Sequence, residues 1–136
     1  MSDPGSNVAR IGIVEDHLRY RDALRATIDS IDDIVVAWIA DDGPDAMAKL
    51  AEDPVDLVIV DLSIPGESGV TLIERIRQAW PATVCIVLSG HTESQYVRRS
   101  FESGAIAYVV KGRPSELREG IAAGREHRQY MSPQLR

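Results

Sequence analysis

Cysteine is all but missing from this chain: its 136 residues contain one, Cys85. With no second thiol there is no partner to bridge to, and a place inside the apolar run TVCIVLS suits a small buried hydrophobe in a reducing compartment. Long apolar stretches are missing as well. No run approaches the ~20 residues that span a bilayer. The N-terminal MSDPGSNVAR has neither a basic start nor an apolar core, so neither membrane insertion nor secretion is expected, and a cytoplasmic location is. Positive charge is scarce: 15 Lys and Arg against 21 Asp and Glu leave a formal net charge of −6. A surface that grips nucleic acid needs a basic face or stripe, so any DNA-binding function would require another domain. The locally basic GREHRQYMSPQLR at the C-terminus reads as charge that caps a helix end and solvates a tail. No internal repeat or low-complexity tract is visible.

What is present is the composition of a soluble folded protein, 44% hydrophobic and 26% charged, at a length that suits a single domain with its own core. Five short runs stand out: RIGIV from Arg10, IVVAWIA from Ile34, LVIV from Leu57, TVCIVLS from Thr83 and AYVV from Ala107. They are rich in valine and isoleucine and nearly continuous, as parallel strands covered on both faces are. Between them the apolar residues recur at helical spacing: Tyr20, Leu24 and Ile28; Ala46 and Leu50; Leu72, Ile73 and Ile76; Val97 and Phe101; Leu117 and Ile121. This alternation predicts an α/β fold, a five-stranded parallel sheet flanked by five helices and joined by right-handed crossovers. Pro44 and Asp45 mark a helix start, Pro81 follows the end of the third helix, and Pro114 suits the first turn of the fifth. Gly120 and Gly124 inside that fifth helix each cost about 1 kcal/mol relative to alanine, so it is expected to be the loosest element. The domain is expected over 9–128, with 1–8 as a flexible lead and 129–136 as a tail or the start of a linker.

In LVIVDLSIPGESG an apolar strand runs straight into Asp61. A carboxylate at the rim of an apolar core is costly unless something pairs with it, so Asp61 either starts a turn or is held there for chemistry. Open parallel sheets bind ligands at the carboxyl ends of their strands. Those ends carry Glu15 and Asp16 after the first strand, Asp61 after the third, Ser89 after the fourth and Lys111 after the fifth. Three carboxylates from neighbouring strands repel, and a hard divalent cation such as Mg²⁺ is the natural remedy. Formal charges of −3 from the acids, +2 from Mg²⁺ and +1 from Lys111 cancel, which leaves room for an anion. A carboxylate can attack phosphorus to form an aspartyl phosphate, with the metal and a lysine stabilising the phosphoryl oxygens. Asp61 is then the nucleophile, and Ser89 and Lys111 are partners for separate phosphoryl oxygens. Singly, Asp61 is an ordinary turn-former, Lys111 a surface lysine and Ser89 a helix cap; only the constellation carries weight.

As a set, EDH, VDLSIPGESG, LSG and YVVKG resemble the receiver domain of bacterial two-component response regulators from Val8 to about His127. EDHLRYRDALRATI, DLSIPGESGVTLIERIRQAWP and QYMSP are similar to the NarL/FixJ (LuxR-type) subfamily. The resemblance implies a CheY-like (flavodoxin-like) fold and phosphorylation of Asp61 by a sensor histidine kinase. It implies Mg²⁺ held by Glu15, Asp16, Asp61 and the backbone carbonyl of Ser63. Ser89 would be the switch hydroxyl, Lys111 the phosphate-pairing lysine, and Tyr108 the aromatic that changes rotamer. Gly90 would leave room for the phosphodonor. The surface of the fourth helix, fifth strand and fifth helix would switch, with homodimerisation on phosphorylation and transcriptional output through a C-terminal helix-turn-helix domain. Three departures stand out: serine for the commoner threonine at Ser89, KGRP for the commoner KP after the fifth strand, and no helix-turn-helix after Arg136. The last points to a fragment of a longer regulator or to a stand-alone receiver.

Rival readings are weaker. A phosphatase of the haloacid-dehalogenase type places an acid two residues after its nucleophile, where this chain has Ser63. An FMN module needs phosphate-cradling donors after the first strand, where EDH repels phosphate. A pseudo-receiver that works by protein binding alone is the alternative that remains. His17 beside the acids reads as a loop residue more than a metal ligand, His91 and His127 as solvent-facing, and Trp38 and Trp80 as packing at the core edge.

Overall fold

The computed structural model describes residues 7–136, so most of the lead expected at 1–8, residues 1–6, lies outside the described residues. Strands β1 (Ala9–Val14), β2 (Ile34–Ala40), β3 (Leu57–Asp61), β4 (Val84–Ser89) and β5 (Ala107–Val110) alternate with helices α1 (Leu18–Asp29), α2 (Gly43–Glu52), α3 (Gly69–Ala79), α4 (Ser94–Glu102) and α5 (Pro114–Arg125). The boundaries follow from local chemistry. Asp42 caps α2, its side chain accepting from Asp45 N, with Pro44 in the first turn; Ser68 caps α3 through Thr71 N. His17 is the N-cap of α1, its Nδ1 accepting from Tyr20 N at 3.3 Å.

Every strand pairs in parallel, in the order β2-β1-β3-β4-β5-β6. Among the described residues the sheet therefore has six strands where the sequence pattern predicted five. The sixth, β6 (Tyr130–Met131), lies in the segment 129–136 and registers Tyr130 against Ala107 and Met131 against Tyr108. Ser132 N donates to the Tyr108 carbonyl at 3.0 Å, and the fully buried Ser132 hydroxyl accepts from Val110 N at 3.0 Å. The free edge of β5 is thus closed by the chain itself, which removes unpaired backbone donors from solvent.

The strands sort alternate residues onto two cores. Ile11, Ile13, Ile59 and Leu88 pack with Leu24 and Ile28 of α1 and Leu117 and Ile121 of α5. Val58, Val60 and Val87 pack with Leu50 of α2, Leu72, Ile73 and Ile76 of α3 and Val97 of α4. Cys85 is buried in this second core, and burial pushes its thiol up to about 12. Trp38 covers the same core, its Nε1 bonded to the Asp53 carbonyl at 3.0 Å.

The glycines of α5, expected to loosen it, have a packing role. Gly120 and Gly124 are buried against the sheet, where an added Cβ would lie 2.7 Å from Val109 Cγ2 and 3.0 Å from Leu57 Cδ2 respectively. Their small size lets the helix approach β3 and β5 closely, and that packing offsets their poor helix propensity. Among the described residues no helix is long and apolar enough to cross a membrane.

Candidate functional site

In this strand order the chain steps outward from β1 to β2 and then returns to β3 on the other side of β1. Loops after β1 and β3 leave in opposite directions, which opens a crevice at their carboxyl ends. A cavity of about 490 Å³ lies there, lined by Glu15, Asp16, Tyr20, Asp61, Ser63 and Lys111 among others.

Its floor is acidic and buried. Glu15 is 1% exposed and Asp61 2%, while Asp16 is exposed at the mouth. One ligand oxygen from each of the three lies within 4.8 Å of the other two. Lys111 reaches in from the end of β5, its Nζ 2.7 Å from Asp61 Oδ2 and 3.6 Å from Glu15 Oε1. The other Asp61 oxygen accepts from Ser63 N at 2.9 Å, a bond that bends the chain away from the strand end. Gly69 makes that bend possible: a Cβ there would sit 2.9 Å from Leu62 Cα and 3.1 Å from the Asp61 carbonyl.

Burial, and then the Asp61 carboxylate beside it, raise the pKa of Glu15 to about 7, against the pull of the His17 N–H and the Lys111 charge. Burial alone would lower the Lys111 ammonium, but the bond and charge of Asp61 more than offset it and hold its pKa above the usual lysine value. Glu15 Oε1 is the one buried side-chain oxygen or nitrogen, among the described residues, that lacks a hydrogen-bond partner. An orphaned acceptor facing two further carboxylates is the donor set that a hard divalent cation takes, so the residues present fit Mg²⁺.

Ser89 and Tyr108 form a second, adjoining group. The buried Ser89 hydroxyl accepts from His91 N at 3.0 Å, and the Tyr108 hydroxyl donates to the His91 carbonyl at 2.8 Å with its ring fully buried. Two polar side chains from neighbouring strands thus hold the backbone of one loop residue. His91 stacks on Tyr96 with ring centroids 4.2 Å apart while its side chain stays 44% exposed, and His127 is exposed, both as expected. A Cβ on Gly90 would meet nothing within 4 Å, so the approach between the two groups is open.

Two site residues escaped sequence reasoning. Tyr20 counted as part of the α1 core stripe, yet its ring faces Lys111, with Nζ 4.8 Å from the ring centroid. Arg21 donates from Nε to the Glu15 carbonyl at 2.6 Å and pairs with Asp41, which ties the acid-bearing loop to α1 and β2. Their signal was position: both fall in the first turn of the helix that follows the acid pair.

Comparison with known proteins gives a consistent picture. The response regulator receiver domain family matches residues 11–122. The hydrogenase transcriptional regulatory protein HoxA of Cupriavidus necator is 35% identical over 112 residues, 82% of this chain and 22% of that protein. The oxygen regulatory protein NreC of Staphylococcus epidermidis is 32% identical over 108 residues, 79% of this chain and 50% of that protein. The chain thus spans half or less of these curated relatives. A crystal structure of a LuxR-family two-component response regulator from Aurantimonas sp. superposes with a TM-score of 0.90 at 33% identity, covering 94% of this chain and 92% of that one.

Proposed function

Because this chain belongs to the response regulator receiver domain family, on its LuxR-type (NarL/FixJ) branch, we propose that Asp61 accepts a phosphoryl group from a sensor histidine kinase and that the modified pocket switches an output. The observation that carries this reading is a buried Asp61 with Lys111 on one oxygen and two further acids beside it. A turn-forming aspartate needs none of these neighbours.

An Asp61 carboxylate oxygen attacks phosphorus, the new P–O bond forming as the P–N bond of the donor phosphohistidine breaks. The departing imidazole takes up a proton, and the product is an aspartyl phosphate. With acetyl phosphate as donor, a P–O bond breaks instead and acetate leaves. Glu15, Asp16, Asp61 and the Ser63 carbonyl would hold Mg²⁺, which when bound neutralises charge on the phosphoryl oxygens. Lys111, freed from its pairing with the ionised Asp61, follows the charge to a phosphoryl oxygen. The Ser89 hydroxyl donates to another while its oxygen can go on accepting from His91 N. A turn of Ser89 toward the phosphoryl group is thereby coupled to the loop after β4, and Tyr108, bonded to the carbonyl of the same His91, is coupled to it in turn. The α4–β5–α5 surface is where that change is read, and β6 lies on its β5 edge.

The whole regulator would act in the cytoplasm, dimerise on phosphorylation and touch DNA through a helix-turn-helix domain beyond this chain. The test is intact-mass analysis after incubation with acetyl phosphate, with and without Mg²⁺, on the wild type and Asp61→Asn. A Mg²⁺-dependent gain of one phosphoryl group, absent from the variant, is expected. No gain under any condition would leave a pseudo-receiver that works by protein binding.

A further inference from the structure

Lys111 stands where the sheet ends, its backbone N–H bonded to the Ser89 carbonyl at 2.9 Å. It follows the last residue of β5 and precedes Gly112, which has a φ of +84° and around whose absent Cβ there is nothing within 4 Å. Its ammonium stands at the end of a flexible four-carbon stem, with the side chain 27% exposed. It has three N–H groups. Asp61 Oδ2 takes one at 2.7 Å, whereas Glu15 Oε1 at 3.6 Å is beyond hydrogen-bond reach.

The remaining restraint comes from α1. The Tyr20 ring centroid is 4.8 Å from Lys111 Nζ, within the range in which an ammonium is attracted to an aromatic face. The ring is half-buried and packs against the core beneath α1 and α5, and its backbone N is bonded to the cap residue His17. Tyr20 lines both the acidic cavity and the apolar cleft between α1 and α5, so its ring is the wall that separates Lys111 from that cleft.

We propose that Tyr20 is a positioning residue for Lys111: its ring holds the ammonium in the pocket on the side Asp61 does not reach. The proposal rests on the phosphoacceptor reading above. It matters most during transfer, when the bond at 2.7 Å to Asp61 is exchanged for one to a phosphoryl oxygen and the ring keeps the ammonium in the pocket between the two. Without the ring the stem is free to swing into solvent.

The test compares wild type, Tyr20→Phe, which keeps the ring, and Tyr20→Leu, which keeps apolar bulk without a π face. The first readout needs no phosphoryl transfer: ring current should shift the Lys111 ε-methylene protons upfield in wild type and Tyr20→Phe, and Tyr20→Leu should abolish the shift. The second is the rate of labelling by acetyl phosphate against donor and Mg²⁺ concentration. Tyr20→Leu should slow labelling three- to tenfold at saturating donor, with the Mg²⁺ midpoint unchanged within twofold and Tyr20→Phe within twofold of wild type. Unshifted Lys111 protons in wild type, labelling by Tyr20→Leu at the wild-type rate, or Tyr20→Phe as slow as Tyr20→Leu would each overturn the proposal. A wild type that does not label at all would sink the phosphoacceptor reading, and the methylene shift would still decide the contact.

Discussion

Raising the pH from 5 to 8 without divalent ions should destabilise this protein, and the cause should be Glu15. Its carboxyl has a pKa near 7 in the fold against an ordinary 4.5. Between those values the folded state keeps a proton that the unfolded chain has lost. Linkage then makes stability fall as pH rises through this window and level off above the folded pKa. The difference of ~2.5 pH units corresponds to at most about 3 kcal/mol, less whatever solvent in the cavity that Glu15 lines screens away. For a domain of this size that is roughly 10 °C in melting temperature. Glu15→Gln should remove the fall and melt higher than wild type at pH 8 without metal. Adding Mg²⁺ at ten times its dissociation constant should restore about 1.4 kcal/mol to wild type and little to the variant. The assay is thermal unfolding of both proteins across pH, with and without Mg²⁺. Parallel pH profiles for wild type and Glu15→Gln would refute the reasoning, as would equal stabilisation of both by the metal.

Three further outcomes follow from named contacts. Lys111→Met leaves Glu15 and Asp61 without their cation, and should cost about 2–3 kcal/mol at pH 8 in metal-free urea unfolding, part of it regained with Mg²⁺. Gly120→Ala gains about 1 kcal/mol of helix propensity but drives a Cβ to 2.7 Å from Val109. Overpacking should win, with a net loss of about 1 kcal/mol in the same assay. Ser132→Ala strips Val110 N of its acceptor inside the fold. It should cost about 1–2 kcal/mol and speed amide exchange at Val110 more than at Val58 in the sheet centre.

Much of the architecture was legible because its determinants are local. Valine and isoleucine runs of strand length, apolar recurrence at helical spacing, and Pro44 and Pro114 in first turns depend on neighbours a few residues away. The acid pair, Asp61, Ser89 and Lys111 could be gathered on paper because a parallel sheet puts every strand's carboxyl end at one edge. Those strand ends do lie together, with Lys111 bonded to Asp61 across 50 positions of sequence.

What the tertiary structure decided is everything that turns on which surface meets which. Two residues carry no periodicity, so β6 became a strand only because the edge of β5 offered unpaired backbone groups. The α5 glycines read as weak points, but the sheet beneath them leaves no room for a Cβ at Gly120 and little at Gly124. Tyr20 shares the spacing of Leu24 and Ile28 and packs against the same core, yet it lies where α1 overhangs the crevice and so also meets Lys111. Sequence alone determines the elements and the residue types at their ends, since both follow from local pattern. Burial, pairing and the proton on Glu15 depend on distances between residues far apart in the chain, and only the folded packing sets those.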